Sequence, residues 1–434
     1  MKQSGKGVSQ IIHTLINKGG MLVAGFVVGV ITSRTLGPEG RGALALMLTV
    51  PMLCISIGEF GIRQSVAFLT GRDTFPRETI TSSLMFFFYC TGTLSVILIL
   101  FIEFQMGLDR YGLIPVIAVT CIAPVTLYQK YISGFLIADK RIETFNNIQL
   151  STPLLLLATL AILAYYERLT LTTAAFSYLG SQVGSMAYIV GHTRLSPLPG
   201  FNHNVLKSML KMGVLYAAGL FIQSLNYRAD ILILGSLRND TSVGIYSVGV
   251  GLCEIIKMLP LAVGMVLFSR SVNIKDSDIK KLLTQTLLLT RGTLIITLAI
   301  ALLLGISAKW LIPLLYGSAF TQSVPVLWIL LPGVVSLSLF ATLHLFVAGQ
   351  GHPQIAIYAF LPALALNVVL NFFLIPQYDF LGSAVASTIS YTSAVLIYLS
   401  LFMKKYDVTV SAIIPSPKDF DIIFKELKNK TRWK

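Results

Sequence analysis

Long apolar stretches dominate this chain and restrict it to a membrane fold. Of its 434 residues, 55% are hydrophobic and only 12% are charged, which excludes an ordinary soluble domain. A helix needs about 20 mostly apolar residues to cross a hydrocarbon core of about 30 Å. The sequence therefore predicts about twelve transmembrane helices, numbered spans 1 to 12. They lie at about 11–35, 42–62, 79–102, 111–137, 144–166, 171–191, 205–235, 241–269, 282–305, 321–349, 355–375 and 380–402.

The basic residues are distributed unevenly between the two sides of the predicted membrane. With the N-terminus placed in the cytoplasm, the inner segments and the C-terminal tail carry 22 lysines and arginines, and the outer segments carry 6. This excess is the positive-inside pattern, so both termini are predicted to be cytoplasmic. The net charge of +14 then reflects topology and does not indicate a nucleic-acid partner. We expect a multi-pass protein of the inner (cytoplasmic) membrane.

The chain has the pattern of two similar halves. Residues 36–45 lead into span 2 and resemble residues 237–246, which lead into span 8. Between spans 6 and 7 the sequence is rich in Pro, Gly and Asn, as linkers often are. Because each half has an even number of helices, both have the same orientation, with a binding site expected between them near the midplane. The predicted domains are an N-terminal six-helix lobe (1–196), a cytoplasmic linker (197–204), a C-terminal six-helix lobe (205–403) and a basic cytoplasmic tail (404–434).

Among the charged residues within the apolar spans, eight are candidates for a functional role. A charge near the bilayer centre is costly and is tolerated mainly where it meets a partner or a water-filled cavity. Such residues therefore mark a candidate polar pathway. The cations outnumber the acids, which favours an anionic cargo over a cationic one. The cations are Lys18, Lys130, Arg228, Lys257 and Arg291, and the acids are Glu59, Asp230 and Glu254.

Several of these charges lie on polar stripes. Lys18 in span 1 and Lys130 in span 4 each have polar neighbours at intervals of three and four residues, which places them on one helix face. Such faces either line a cavity or, since both lysines are near the inner surface, let their ammonium groups extend to water. The stripes comprise Gln10, His13, Thr14 and Asn17 with Lys18; Thr126, Gln129 and Ser133 with Lys130; and Tyr216, Gln223, Asn226, Tyr227 and Asp230 in span 7.

Spacing also suggests which charges pair. Glu254 and Lys257 are three residues apart on one helix face, so they either neutralise each other or form a cavity-facing pair that can open. Glu59 and Arg63 are four residues apart near a helix end, which favours a structural pair over a proton carrier. Both pairs are therefore candidates for a structural role as well as for a functional one.

The other charges have no obvious partner on their own helix. Arg228 and Asp230 are two residues apart, hence on different faces. Asp230 is then suited either to packing at a helix end or to coupling an ion. Arg291 has no acidic residue three or four positions away, so a structural role would need a partner from another helix.

Several short motifs resemble a known family over about residues 8–403. In their order and spacing they resemble the polysaccharide-transport branch of the multidrug/oligosaccharidyl-lipid/polysaccharide exporter superfamily. Most of them are turns and helix ends, so they identify the family better than they identify a site. The motifs are residues 35–42 (TLGPEGRG), 230–235 (DILILG), 243–247 (VGIYS), 315–320 (LYGSAF), 367–371 (NVVLN), 374–378 (LIPQY) and 382–387 (GSAVAS).

The resemblance implies a fold and a function. The implied fold is all-α, with two six-helix bundles forming a V around a central cavity. The implied function is a flippase that moves an isoprenoid-diphosphate-linked oligosaccharide from the cytoplasmic to the outer leaflet by alternating access, for a surface polysaccharide such as O-antigen. Its partners would be the lipid-linked cargo, membrane lipid and polysaccharide polymerase machinery.

A cargo of this kind explains an excess of buried cations. A doubly charged diphosphate meets a large desolvation cost in hydrocarbon, which fixed lysine and arginine donors in a cavity can offset. The interior-negative potential adds about 2.3 kcal/mol per charge per 100 mV for an anion moving outward. For the diphosphate, the leading candidates are Arg291 and Lys257, followed by Arg228, Lys18 and Lys130. For coupling to H⁺ or Na⁺, the candidates are Glu254, Asp230 and Glu59.

Two other functions are alternatives to this one. A multidrug or small-cation exporter of the same superfamily would call for acidic or aromatic cavity groups, which the excess of cations disfavours. A membrane enzyme, such as a polymerase or glycosyltransferase, would usually need a sizeable polar loop or domain with catalytic acids or histidines, and none is evident. The four cysteines are scattered and show no metal-binding spacing, so neither a metal nor another cofactor is expected.

Overall fold

A computed structural model describes residues 2–193, 195–272 and 278–416, without the side chains of residues 2–16, 212, 215, 216, 269 and 272. Within these ranges the chain consists of helices joined by short connections, and no strand is present. In chain order the helices are α1 (Lys2–Gly58), α2 (Ile62–Gly71), α3 (Arg77–Gln105), α4 (Leu113–Thr120), α5 (Ile122–Ala138), α6 (Ile142–Tyr165), α7 (Leu171–Thr193), α8 (His203–Asn226), α9 (Ala229–Leu237), α10 (Asp240–Val272), α11 (Ile279–Tyr316), α12 (Ser323–Gly349), α13 (Gln354–Tyr406) and α14 (Val410–Ile413). A 3-10 helix at Leu108–Tyr111 joins α3 to α4, and another lies at Ser318–Phe320.

Eight helical stretches in the described chain are long and apolar enough to cross a membrane. Two of these stretches each contain two helical segments joined at a break in the backbone. α1 breaks at Gly37 (φ 67°, ψ −177°), just before Pro38, and α13 breaks at Asp379 (φ 53°, ψ −138°). Each therefore contains two of the predicted spans. With α7 at span 6 and α8 and α9 at span 7, every predicted span is helical, and the all-α membrane fold is confirmed.

The described chain divides into two compact units. The first runs to Ser247 and includes Leu315–Ala319, and the second comprises Val248–Leu314 and the chain from Phe320 onward. The lobe boundary at 197–204 and the V-shaped arrangement stay predictions. Most of the predicted basic tail, residues 417–434, lies outside the described residues, as do Arg194 and the side chains of Gln10, His13, Thr14 and Tyr216.

The predicted linker packs against α3 within the first unit. Gly200 donates its backbone N–H to the carbonyl of Ser82 on α3 at 2.9 Å, and the rings of Phe86 and Phe201 meet edge-on at 5.3 Å. Asn202 then caps α8, because its side-chain oxygen accepts the backbone N–H groups of the second and third residues that follow. The segment is thus held along α3 and starts α8 at a defined position.

The two motifs that resemble each other in sequence also meet in space, within the first unit. A Cβ atom on Gly42 would lie 1.7 Å from the carbonyl oxygen of Asp240, and one on Gly244 would lie 1.9 Å from that of Pro38. Only glycine allows backbones to approach this closely. The glycines of both motifs therefore serve a helix crossing between the start of the second helical half of α1 and the start of α10.

We predict that Gly244→Ala destabilises the protein, because the new methyl group would push apart two backbones. The expected loss is about 1–3 kcal/mol, the usual cost of an overpacked site. Gly251→Ala is the matched control on the same helix, since a Cβ there would meet no atom within 4 Å. Thermal unfolding of the detergent-purified protein measures both variants. Equal midpoints for the two would show that the Gly42–Gly244 crossing does not limit stability.

Candidate functional site

The first unit contains a cavity of about 600 Å³ with charged and polar groups on a largely apolar wall. Its walls come from α1, α2, α5, α6 and α7 and from the end of α8. Three cations line it, Arg63, Lys130 and Arg228. The wall also presents amide and hydroxyl groups, which include Thr126, Gln129, Ser133, Gln149, Gln182 and Ser224.

The stripe predicted in span 4 forms one wall of this cavity. Thr126, Gln129, Lys130 and Ser133 all lie on α5 and all line it, as their spacing of three and four residues requires. Gln129 is fixed by donating its Nε2 to the carbonyl of Gln182 on α7 at 2.5 Å. Of the two alternatives for Lys130, the structure therefore shows the cavity-lining one in this conformation.

Glu59 connects two of the cavity cations. Its Oε2 lies 2.5 Å from Lys130 Nζ, and its Oε1 lies 3.1 Å from Arg63 Nη2. The carboxylate is only 12% exposed. Lys18, half-buried on α1, lies within electrostatic range of Arg63. One acid thus balances two adjacent cations, and the cluster keeps a net positive charge.

A smaller cavity of about 280 Å³ adjoins the first. Glu59 lines it together with Gln223 and Tyr227 of the predicted span 7 stripe. Ser56 and Ser224 line both cavities, and their hydroxyl oxygens are 3.2 Å apart. Glu59 therefore stands at the boundary, with its cation partners on the side of the larger cavity.

Arg228 lies in the break between α8 and α9, and Asp230 follows it in the first turn of α9. Arg228 has a non-helical backbone (φ −133°, ψ −13°) and lines the larger cavity. Asp230, in the first turn of α9, is fully buried and accepts hydrogen bonds from Tyr246 Oη at 2.5 Å and from the backbone N–H of Ile231 at 2.8 Å. The two side chains face different surroundings, as their spacing predicts. These contacts suit a packing role at a helix start, and ion coupling by Asp230 stays a prediction.

The remaining predicted charges belong to the second unit. Lys257 Nζ lies 2.6 Å from Glu254 Oε1 on α10, so this pair is formed, with Lys257 16% and Glu254 53% exposed. Arg291 is half-buried on α11. The structure thus brings together Glu59, Lys130 and Arg228 in the first unit. A role for Lys257, Arg291 and Glu254 at the same site stays a prediction.

Sequence reasoning missed several cavity residues. The apolar pattern ends span 2 at residue 62 and so places Arg63 in an inner segment, yet α2 continues to Gly71. Gln149 and Gln182 also line the cavity. The signal that could have found Gln149 and Gln182 is a polar side chain within a predicted membrane span. Among the described residues, no three His, Cys, Asp or Glu side chains are grouped so that they could hold a metal ion.

Comparison with solved structures identifies the fold. The chain aligns with a multidrug resistance MATE family transporter of the MOP superfamily in an inward-facing conformation, at TM-score 0.75 and 14% identity, over 90% of this chain and 98% of that one. It aligns with the lipid II flippase MurJ in an inward closed conformation at TM-score 0.74 and 14% identity, over 98% and 93%. A Vibrio cholerae MATE transporter aligns at TM-score 0.57 and 14% identity, over 93% and 99%.

These likenesses and the apolar helices identify a multi-pass membrane protein with a transporter fold. A search of curated proteins finds no match. A family model described as polysaccharide biosynthesis protein matches residues 31–325, which is more than half of the chain. The family resemblance seen in the sequence motifs is thereby confirmed, and the chain belongs to the polysaccharide biosynthesis protein family.

Proposed function

We propose that this chain is a flippase that carries an isoprenoid-diphosphate-linked oligosaccharide from the cytoplasmic to the outer leaflet, for surface polysaccharide synthesis. The single observation that carries the proposal is the cavity of the first unit, which is lined by three cations, two of them paired with Glu59. Family membership and a fold shared with a lipid II flippase support it. The protein would work in the inner membrane with both termini in the cytoplasm.

The cavity cations suit a diphosphate. Arg63 and Arg228 can each offer a fork of N–H donors to phosphate oxygens, and Lys130 offers a compact charge. In this structure the carboxylate of Glu59 forms ion pairs with both Lys130 and Arg63. A diphosphate carries about two negative charges, so it can compete with a single carboxylate for both cations. We infer that cargo binding exchanges these partners, and that Glu59 recaptures the cations when the cargo leaves.

The rest of the cavity wall suits a sugar. Side-chain amides and hydroxyls both donate and accept hydrogen bonds, which is what sugar hydroxyls require. Gln129, Gln149, Gln182 and Thr126 supply such groups beside the cations. The lipid tail needs no polar site, because it can remain in the surrounding bilayer while the head group enters the protein.

Other parts of the mechanism are proposed from charge alone. Lys18, Lys257 and Arg291 are proposed as further cations along the cargo's path. Glu59, Asp230 and Glu254 are proposed for coupling to H⁺ or Na⁺, and the membrane potential would assist an outward-moving anion. Membrane lipid and a polysaccharide polymerase are the proposed partners.

A cation exporter is the second candidate function. Two observations favour it, the shared fold with a multidrug transporter and the placement of Glu59 at the smaller cavity. The charge balance argues against it, because Arg63, Lys130 and Arg228 line the larger cavity and the carboxylate of Glu59 is already paired.

Reconstitution into vesicles separates the two functions. We expect the purified protein to move a fluorescent isoprenoid-diphosphate-linked oligosaccharide between leaflets, scored by accessibility to a soluble sugar-oxidising reagent. We expect no accumulation of a cationic dye under an imposed proton or sodium gradient. Empty vesicles and the same lipid without its diphosphate are the controls. Dye transport without movement of the lipid-linked sugar would establish the exporter instead.

The cavity cations should be needed for this movement. Arg228→Gln and Lys130→Gln each remove one charge-assisted contact, worth about 1.5–3 kcal/mol. In the vesicle assay we expect each to reduce the initial rate about tenfold or more at subsaturating cargo. Arg168→Gln and Lys140→Gln are matched controls, because both side chains are exposed outside the cavity. Wild-type rates for both cavity variants would remove these residues from the cargo site.

A further inference from the structure

An acid outside the cavity is buried without a cation. Glu103 lies in the last turn of α3 and has no exposed surface. Its Oε2 lies 2.9 Å from the hydroxyl oxygen of Thr120, the last residue of α4. Its Oε1 has no hydrogen-bond partner among the described residues. A fully buried carboxylate with a single neutral contact would be costly, so the protonation state of this group needs explanation.

The hydrogen bonds of Thr120 favour a neutral acid. Its hydroxyl oxygen is 2.9 Å from Glu103 Oε2 and also 2.9 Å from the carbonyl oxygen of Val116. A hydroxyl has one proton, and both neighbours would be acceptors if the carboxyl were ionised, so one contact would lack a hydrogen. If Glu103 carries a proton on Oε2, it donates to Thr120, and Thr120 donates to Val116. Both contacts are then hydrogen bonds.

The position of Glu103 on α3 points the same way. The C-terminal turn of a helix carries the negative end of the helix dipole, which disfavours an anion. α4 has no ionisable side chain, and the nearby group on α1 is the buried thiol of Cys54. A protonated Glu103 removes the charge that these surroundings cannot compensate.

The other ionisable groups around α3 are engaged or exposed. In the 3-10 helix that follows α3, Arg110 and Tyr111 both bind Asp240, and Asp109 is exposed. Arg63 of α2 and Lys130 of α5 bind Glu59. Tyr131 of α5 meets α3 at Thr91, twelve residues before Glu103, or about 18 Å along the helix. Further ionisable groups on the helices that pack against α3 include Tyr128 on α5 and the exposed His203, Lys207 and Lys211 on α8.

We propose that Glu103 is a proton-binding site. It holds a proton while the ends of α3 and α4 are packed together, and it releases that proton when they separate and water enters. On the predicted topology these helix ends face the outer side of the membrane. Glu103 would then exchange its proton with the outer side, so acid outside stabilises the packed conformation and alkali outside stabilises the separated one. Its use in transport rests on the proposed flippase function, but its protonation does not.

Infrared spectroscopy of the reconstituted full chain tests the protonation directly. At neutral pH we expect a protonated-carboxyl band in the wild type that is lost in Glu103→Gln and retained in Glu143→Gln, which changes an exposed acid on α6. Glu103→Met, which fills similar space without a polar group, serves if the Gln variant does not assemble. The same band in wild type and both Glu103 variants would overturn the proposal, because the proton would then belong to another group.

An outside-pH experiment tests the use of this proton in transport. A group that binds a proton in one conformation and releases it in the other changes the equilibrium between them by up to about tenfold per pH unit. We expect acid on the outer side to slow export by the wild type and Glu143→Gln, because the packed helix ends must separate, and Glu103→Gln to lose that slowing. A Glu103→Gln variant with undiminished dependence on the outside pH would overturn this use of the proton. If even the wild type moves no lipid-linked sugar, the flippase function fails, and the infrared result alone decides whether Glu103 binds a proton.

Discussion

The contact of Glu59 with Lys130 and Arg63 is the interaction on which the site depends. Three charges meet within segments that are apolar enough to cross a membrane, and Glu59 makes both cations tolerable there. Removing Glu59 would leave two partly buried cations without this partner. Because there are two cations for one acid, the cluster remains positive while it is paired. That imbalance is what makes the cavity attractive to an anion.

The helix architecture determines where these charges are. Glu59 lies at the junction of α1 and α2, where the chain turns through Gly61 in the left-handed conformation (φ 63°). Lys130 comes from the middle of α5, and Arg228 from the break between α8 and α9. Elsewhere in the same unit, α1 and α10 cross closely at Gly42 and Gly244. The helix breaks near Glu59 and Arg228 therefore lie beside the cavities, where non-helical backbone is tolerated within a membrane protein.

Sequence alone predicted the helices well because membrane spans have a strong and simple signal. Apolar length located every span, and the period of three and four residues placed Thr126, Gln129, Lys130 and Ser133 on the face that lines the cavity. The spacing of Arg228 and Asp230 likewise predicted that they would not share surroundings. These features are local, so a single sequence is sufficient to show them.

The missed residues share a physical cause. An apolar span was ended where a charge appeared, so a charge on a helix that continues was assigned to a loop. Arg63 fell just beyond span 2 and Glu103 just beyond span 3, although α2 runs to Gly71 and α3 to Gln105. Whether such a charge is buried depends on neighbouring helices, which periodicity does not reveal. For the same reason, the partners of Lys257 and Glu254 could be proposed from spacing, but those of Lys130 could not.

The most direct test of the central claim is a structure of the full chain with an isoprenoid-diphosphate-linked oligosaccharide bound. We expect the diphosphate within hydrogen-bond distance of Arg63, Lys130 or Arg228, and the Lys130 ammonium group moved away from Glu59. We also expect sugar hydroxyls against the cavity amides. A diphosphate bound elsewhere, with the contact between Glu59 and Lys130 intact and the cavity without sugar, would contradict the claim.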